Sequence, residues 1–302
     1  MTLRDTALAA LTAVIWGLGF VAIKFGLESF SPAQLTALRF IIACLPALVV
    51  PRPPISWPML VAIGLTLFTG QFLLLFFAYV EGLPPGVAAV TQQIQVFFTV
   101  ALAAIFLRDT ATRRQWIGML VAFCGLALIG LTVGGDLTPS GFALAMAAAF
   151  SWAVGNILIK RVGKVPMLPL MTWLSLVPPL PALLVSSLDD RAPWIFTAVL
   201  GASWTSIVAA VYLAVLATTV AYAMWGHLLA RYPSAVVAPF ALLAPCAGIA
   251  SSALVFGESF PPLRYFGMAL IFAGLAVVFL PASGALLTGK NRRHDQRDCR
   301  GN

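Results

Sequence analysis

Ten apolar runs, each close to the length of helix that crosses a bilayer, follow one another along almost the whole chain. They fall at about 6–25, 32–50, 57–79, 84–106, 113–133, 139–162, 167–187, 204–226, 234–256 and 262–281, and about 20 apolar residues suffice for one span. Hydrocarbon offers backbone N–H and C=O groups no partners, so runs of this length must satisfy them internally as helices. Only 9% of the 302 residues are charged, 61% are hydrophobic, and the mean hydropathy is +0.99. So few charges cannot cover a water-facing surface, which excludes an ordinary soluble enzyme or a nucleic-acid-binding module despite a net charge of +8. The expected fold class is an all-α polytopic membrane protein with ten transmembrane helices.

Pro, Gly and charge punctuate the connections, as at Pro51-Arg52-Pro53-Pro54, Glu81-Gly82-Leu83-Pro84-Pro85, Gly134-Gly135-Asp136 and Asp189-Asp190-Arg191-Ala192-Pro193. The first run reads as a span and not a cleaved leader, because it is long, lacks a small-x-small site and leads straight into another span. With the N-terminus in the cytoplasm, the inner side collects Arg4, Arg52, Arg108, Arg113, Arg114, Lys160, Arg161, Lys164, Arg231 and five tail residues, 14 of the 18 Lys and Arg. Lys24, Arg191 and Arg264 fall outside, and Arg39 lies within the second run. That asymmetry predicts both termini inside. The basic tail, 284–302, lies against the anionic lipid leaflet in this reading. Cys44, Cys124, Cys246 and Cys299 stand singly and form no metal or disulfide spacing.

The second half echoes the first. Trp16-Gly17-Leu18-Gly19-Phe20-Val21-Ala22-Ile23-Lys24 matches Trp152-Ala153-Val154-Gly155-Asn156-Ile157-Leu158-Ile159-Lys160 at an offset of 136. Gly118-Met119, Phe123, Gly125, Leu126 and Ala127 match Gly267-Met268, Phe272, Gly274, Leu275 and Ala276 at an offset of 149. Five spans per copy is an odd number, so the second copy inserts upside down. Residues 1–134 and 135–283 are then two inverted-topology five-helix repeats, an arrangement that places a substrate site near the midplane between them.

On these repeats, and on Leu38-Arg39-Phe40, Gln71-Phe72, Gln93-Ile94-Gln95-Val96-Phe97-Phe98, Phe150-Ser151-Trp152-Ala153-Val154-Gly155-Asn156, Arg231-Tyr232 and Ala238-Pro239, the chain resembles the EamA-type drug/metabolite transporters. It is similar in particular to the bacterial O-acetylserine/cysteine exporter branch. The resemblance runs from about residue 3 to 281. It implies export of small polar amino-acid-like metabolites from the cytoplasm without ATP, and it favours Gln93 and Gln95 as site residues.

Polar groups are costly in hydrocarbon, so those inside the runs should face the bundle interior. The fourth run carries Thr91, Gln92, Gln93 and Gln95; Gln92 and Gln95 share a helical face, and Gln93 turns away from it. Amides can donate to a carboxylate and accept from an ammonium, or can tie helices together. Gln71 stands in the third run, Trp152 and Asn156 share a face of the sixth, and Thr218, Tyr222 and Trp225 form a stripe on the eighth. Trp16, Gln71, Gln93, Gln95, Trp152, Asn156, Tyr222 and Trp225 are the expected substrate-binding set, although an aromatic stripe also serves simple packing. Arg39 either binds a substrate carboxylate or anchors on backbone carbonyls. Lys160 and His227 lie near helix ends, where Lys can snorkel and His can relay protons; these three are the coupling or anchoring candidates.

No Asp or Glu falls in the middle of a run, so a carboxylate relay is not expected. Pro239 and Pro245 predict a helix break or gate in the ninth run, and one confined to the second half, because Val90 and Val96 occupy the matching positions in the first. An intramembrane enzyme is disfavoured: no HExxH, no GxSxG and no mid-membrane carboxylate pair occurs. A channel would show a filter or ring motif. The expectation is a secondary exporter without cofactor or metal, a monomer or homodimer whose partners are a small-molecule substrate and membrane lipids, not nucleic acid. A broad exporter of hydrophobic drugs is the alternative.

Overall fold

The structure, a computed structural model, describes residues 1–83, 91–131, 138–188, 193–257 and 261–279. Val90, Gly134-Gly135-Asp136, Asp189-Asp190 and the tail 284–302 lie outside the described residues, as do both repeat boundaries drawn above. Within the described residues, all regular structure is helical: α1 (Leu3–Gly26), α2 (Pro32–Leu48), α3 (Trp57–Val80), α4 (Gln92–Leu107), α5 (Arg113–Leu131), α6 (Pro139–Val162), α7 (Met167–Ser187), α8 (Trp204–Arg231), α9 (Ser234–Phe256) and α10 (Pro262–Phe279). Seven of these are long and apolar enough to cross a membrane; α2, α4 and α10 are apolar but shorter. Two features depart from the sequence expectation. The seventh run is divided, helical over Met167–Leu174 and again over Pro179–Ser187, and a short helix, Ile195–Gly201, fills part of a connection read as loop.

Hydroxyl caps start α1, α2, α3, α6 and α8. The side chains of Thr2, Ser31, Ser56, Thr138 and Ser203 each accept from a backbone N–H of the first turn, and Ser31 with Gln34 closes a capping box. Two of these caps, Thr2 and Thr138, are related by the 136-residue offset. The 149-residue offset recurs in the backbone as well. A π-helical stretch interrupts α3 at Gly64–Gly70 and α8 at Leu213–Val220, and α4 and α9 end at left-handed residues, Arg108 (φ 54°) and Gly257 (φ 65°). The expectation that only the second half is broken is corrected here. A 3-10 turn occurs at Ala238–Leu242 around Pro239, but another opens α4 at Gln92–Ile94 without a proline. There the Gln92 amide donates to the Ala145 carbonyl at 3.2 Å and anchors the turn on α6.

The halves interlock. α1 packs on α8 and α9, while α6 packs on α3 and α4, so the first helix of each copy sits against the other copy. α5 lies along α10 with glycines at the contact: a Cβ on Gly118 would come 2.6 Å from the Gly274 carbonyl, and one on Gly125 would come 2.4 Å from that of Gly267. Each glycine thus meets the counterpart of the other, the reciprocity of a two-fold contact between antiparallel helices. Small residues permit this approach where lipid leaves van der Waals packing as the main cohesion. Large apolar side chains such as Leu48, Leu180, Trp204 and Leu254 stand outward, as expected of a molecule solvated by acyl chains.

Candidate substrate site

Trp16 and Trp152 stand at matching positions midway along α1 and α6, and both copies turn their aromatic and amide side chains toward this level. The Trp16 ring lies 5.5 Å from Trp152, edge-on, and 5.1 Å from both Tyr222 and Trp225, with its Nε1–H donating to the Ala217 carbonyl at 3.1 Å. Phe68 meets Tyr222 edge-on at 5.0 Å. Such spacings match the preferred tilted and edge-to-face contacts of aromatic rings.

Amides join the rings. The Tyr222 hydroxyl donates to Gln71 Oε1 at 3.1 Å, linking α8 to α3. Asn156 is fully buried and is held on three sides: its Oδ1 accepts from Trp225 Nε1 at 3.1 Å, and its Nδ2 donates to Gln95 Oε1 and Thr99 Oγ1, each at 3.2 Å. Thr99 in turn donates to Gln95 Oε1 at 3.1 Å. The structure therefore brings Trp16, Gln71, Gln95, Trp152, Asn156, Tyr222 and Trp225 together across α1, α3, α4, α6 and α8. The network is incomplete. Gln93 Oε1, Gln95 Nε2, Gln92 Oε1, Trp152 Nε1 and Thr69 Oγ1 are buried without a hydrogen-bond partner among the described residues. Buried polar groups are seldom left so, and Gln95 Nε2 and Trp152 Nε1, within the network itself, mark a place where another molecule can complete the set.

The remaining candidates lie elsewhere. Arg39 on α2 is buried at the side of this cluster, its Nε donating to the Thr218 hydroxyl and its Nη2 to the Ala217 carbonyl at 3.5 Å. Pro239 is buried in its 3-10 turn, and Pro245, also buried, stands three residues beyond the end of that turn, where α9 becomes α-helical. Lys160 sits at the end of the bundle that carries the N-terminus. Its ammonium reaches Asp109 at 2.5 Å, the Tyr232 carbonyl at 3.0 Å and Ser234 Oγ at 3.1 Å, and the Ser234 N–H donates to the same Asp109 oxygen at 2.7 Å. Burial opposes charge on Asp109, but the hydrogen bonds from Lys160 and the Ser234 N–H outweigh it and hold the carboxyl below its ordinary range. At the same end, Tyr232 donates to Asp5 at 2.5 Å and Arg231 stands 3.7 Å from it, beside a cavity of about 470 Å³ lined by Thr2, Arg4, Asp5, Leu8, His227 and Arg231. His227, two residues beyond Trp225 on α8, is exposed there and turns away from the face that carries Trp225.

Sequence reasoning missed Thr99, Asp109 and Ser234. Thr99 stands one helical turn beyond Gln95, so its helical spacing was the available signal. The Asp109–Lys160 pair joins the connection after α4 to the last turn of α6 and carries no local signature.

Comparison with known proteins then places the chain. The model of the EamA-like transporter family matches twice, over residues 6–131 and 139–280. A Salmonella typhimurium protein named "Probable amino-acid metabolite efflux pump" is 40% identical over 284 residues, covering 92% of this chain and 95% of that protein. The Escherichia coli protein of the same name is 38% identical with the same coverage, and a Streptantibioticus cattleyicolor protein named "Probable terminal-alkyne amino-acid exporter" is 28% identical, covering 89% of this chain and 91% of that one. A solved crystal structure superposes with a TM-score of 0.79 at 20% identity, over 92% of this chain and 99% of that one, and so shares the fold. With the family model covering both halves and full-length relatives at this identity, the chain belongs to the EamA-like transporter family.

Proposed function

We propose that this protein is a secondary exporter of small polar amino-acid-like metabolites, of the cysteine or O-acetylserine type, working by alternating access across the bacterial inner membrane. In this reading α1–α10 are ten spans with both termini cytoplasmic, residues 1–134 and 135–283 are the two inverted repeats, and 284–302 is the basic tail. The protein acts as a monomer or homodimer. The observation that carries the proposal is the mid-helix cluster of Trp16, Trp152, Tyr222 and Trp225 with the amides of Gln71, Gln95 and Asn156, and with the buried, unpaired Gln93 Oε1 two residues before Gln95 on α4. Rings offer faces to an ammonium, and unpaired amide groups offer donors and acceptors to a polar backbone. The names of the relatives at 40% and 38% identity point the same way.

Alternating access needs the two copies to separate at one end at a time. The Asp109–Lys160–Ser234 and Asp5–Tyr232–Arg231 contacts hold the N-terminal end together between α1, α4, α6, α8 and α9. A shallow 3-10 break in α4 and another in α9 supply backbone that can bend beside the site.

Counterflow of labelled amino acids in proteoliposomes, with and without a pH gradient, tests substrate and coupling together. Gln93 Oε1 has no partner to lose, so Gln93→Ala should leave membrane insertion intact while lowering exchange several-fold. Wild-type exchange in that variant removes Gln93 from the site. Accumulation of apolar cations with no amino-acid exchange would instead favour the broad hydrophobic-drug reading.

A further inference from the structure

We propose that Arg39 recognises the carboxylate of the transported molecule, so that the site selects α-amino acids and their carboxyl-bearing derivatives over the corresponding amides and amines. The inference rests on the transporter reading above and specifies which groups of the substrate it reads.

Arg39 is 7% exposed in the interior of α2, and every group it meets is neutral. Its guanidinium carbon lies 4.5 Å from the centroid of Phe72 and 5.7 Å from that of Phe40. Its hydrogen bonds go to the Thr218 hydroxyl and, at 3.5 Å, to the Ala217 carbonyl. Thr218 donates its own proton to the Leu213 carbonyl at 2.7 Å, so its oxygen acts purely as an acceptor toward Arg39. Lys160–Asp109 and Arg231–Asp5 pair at the N-terminal end of the bundle, and among the described residues no carboxylate is hydrogen-bonded to or paired with Arg39. A guanidinium stays charged at any pH a cell meets, and a charge inside a membrane protein is retained against its cost where it pairs with an anion or lines a pathway. Two ring faces and two neutral oxygens only partly meet that need. A planar carboxylate meets it fully, because the guanidinium fork can grip both oxygens.

Location supplies the second part of the argument. The Ala217 carbonyl accepts from Arg39 and from Trp16 Nε1 alike, so the guanidinium and the aromatic cluster are separated by a single carbonyl group. That carbonyl belongs to the π-helical stretch of α8, Leu213–Val220, which also presents Thr218 to Arg39. An amino acid lying there can set its carboxylate against Arg39 and its ammonium over the Trp16, Tyr222 and Trp225 rings, with the unpaired Gln95 Nε2 left for its side chain. Neither charge then needs an acidic residue from the protein.

The experiment is counterflow with a panel of radiolabelled neutral L-amino acids, cysteine included, alongside the carboxamide of each. Wild-type protein should prefer the acids, and Arg39→Gln should raise their half-saturating concentration about 30-fold or more, the usual effect of removing one partner of a buried charge pair. Exchange of the carboxamides should change less than about threefold in the same variant, because they never used the charge. Equal losses for acids and amides would make Arg39 a structural anchor and overturn the inference while leaving the exporter reading intact. Wild-type protein that exchanges amides as readily as acids overturns it without any variant, which keeps the test decisive if Arg39→Gln fails to insert. Absence of exchange for the whole panel would defeat the exporter reading itself.

Discussion

The Asn156–Trp225 hydrogen bond offers the sharpest test of the central network, because both partners are fully buried and each can be removed alone. Asn156→Ala strips the acceptor from Trp225 Nε1; Trp225→Phe keeps an aromatic ring against Trp16 but strips the donor from Asn156 Oδ1. Either single change orphans one buried polar atom, at about 1–3 kcal/mol each. The double change orphans neither member of this pair. Asn156 also donates to Gln95 and Thr99 at 3.2 Å, but those losses occur in Asn156→Ala and in the double variant alike and cancel in the cycle. Hydrogen bonds within membrane bundles contribute about 0.6–2 kcal/mol, so the double variant should be more stable than the sum of the singles by about 1 kcal/mol or somewhat more. Reversible unfolding from mild detergent into SDS, followed by circular dichroism, measures all four corners of the cycle. Additivity within about 0.5 kcal/mol would mean that the bond does not couple α6 to α8, and the network described here would be wrong.

Two further predictions concern the scaffold and its N-terminal end. Gly125→Ala and Gly274→Ala should each destabilise the fold by about 1–3 kcal/mol, since the new Cβ would sit 2.4 Å from a backbone carbonyl of the facing helix, whereas Gly201→Ala meets nothing within 4 Å and should be neutral in the same SDS titration. Equal stability of all three would refute the close α5–α10 crossing. Because the Asp109 carboxyl is held below its ordinary value of 3.8, the tie it makes to the Ser234 N–H is present above that value and is lost only as pH falls through the lower native one. Hydrogen exchange of the Ser234 amide, corrected for intrinsic chemistry, should therefore stay equally protected from pH 8 to pH 5 and become faster throughout in Asp109→Asn. Protection that fades between pH 6 and 5 in the wild-type protein would contradict this.

Much of the molecule was legible in the order of residues because hydrocarbon makes two demands that sequence records directly. Apolar runs must be long enough to cross, and polar side chains inside them must be few and inward-facing. Trp16, Gln71, Gln95, Trp152, Asn156, Tyr222 and Trp225 stood out for that reason, and the structure does gather them. The repeat offsets of 136 and 149 residues were equally visible, and they return as the Thr2 and Thr138 caps, the paired π-helical stretches and the left-handed ends at Arg108 and Gly257. The proline argument misled, because a 3-10 turn at Gln92–Ile94 is held by an amide reaching another helix and needs no ring in the chain.

The amino-acid sequence by itself determined that this chain is a membrane protein of two related halves whose interior is uncharged apart from Arg39. Only the tertiary structure decided which polar groups satisfy one another and which are left over. It pairs Asn156 with Trp225, Gln95 and Thr99, sends Lys160 to Asp109, and leaves Gln93 Oε1, Trp152 Nε1 and the charge of Arg39 without a full complement. The reason is physical. Burial is a property of a residue's run and can be read locally, whereas a hydrogen bond depends on a few tenths of an ångström between helices that are 50 to 230 residues apart in the chain, and that distance is set by how glycines and side chains let the two halves close on each other.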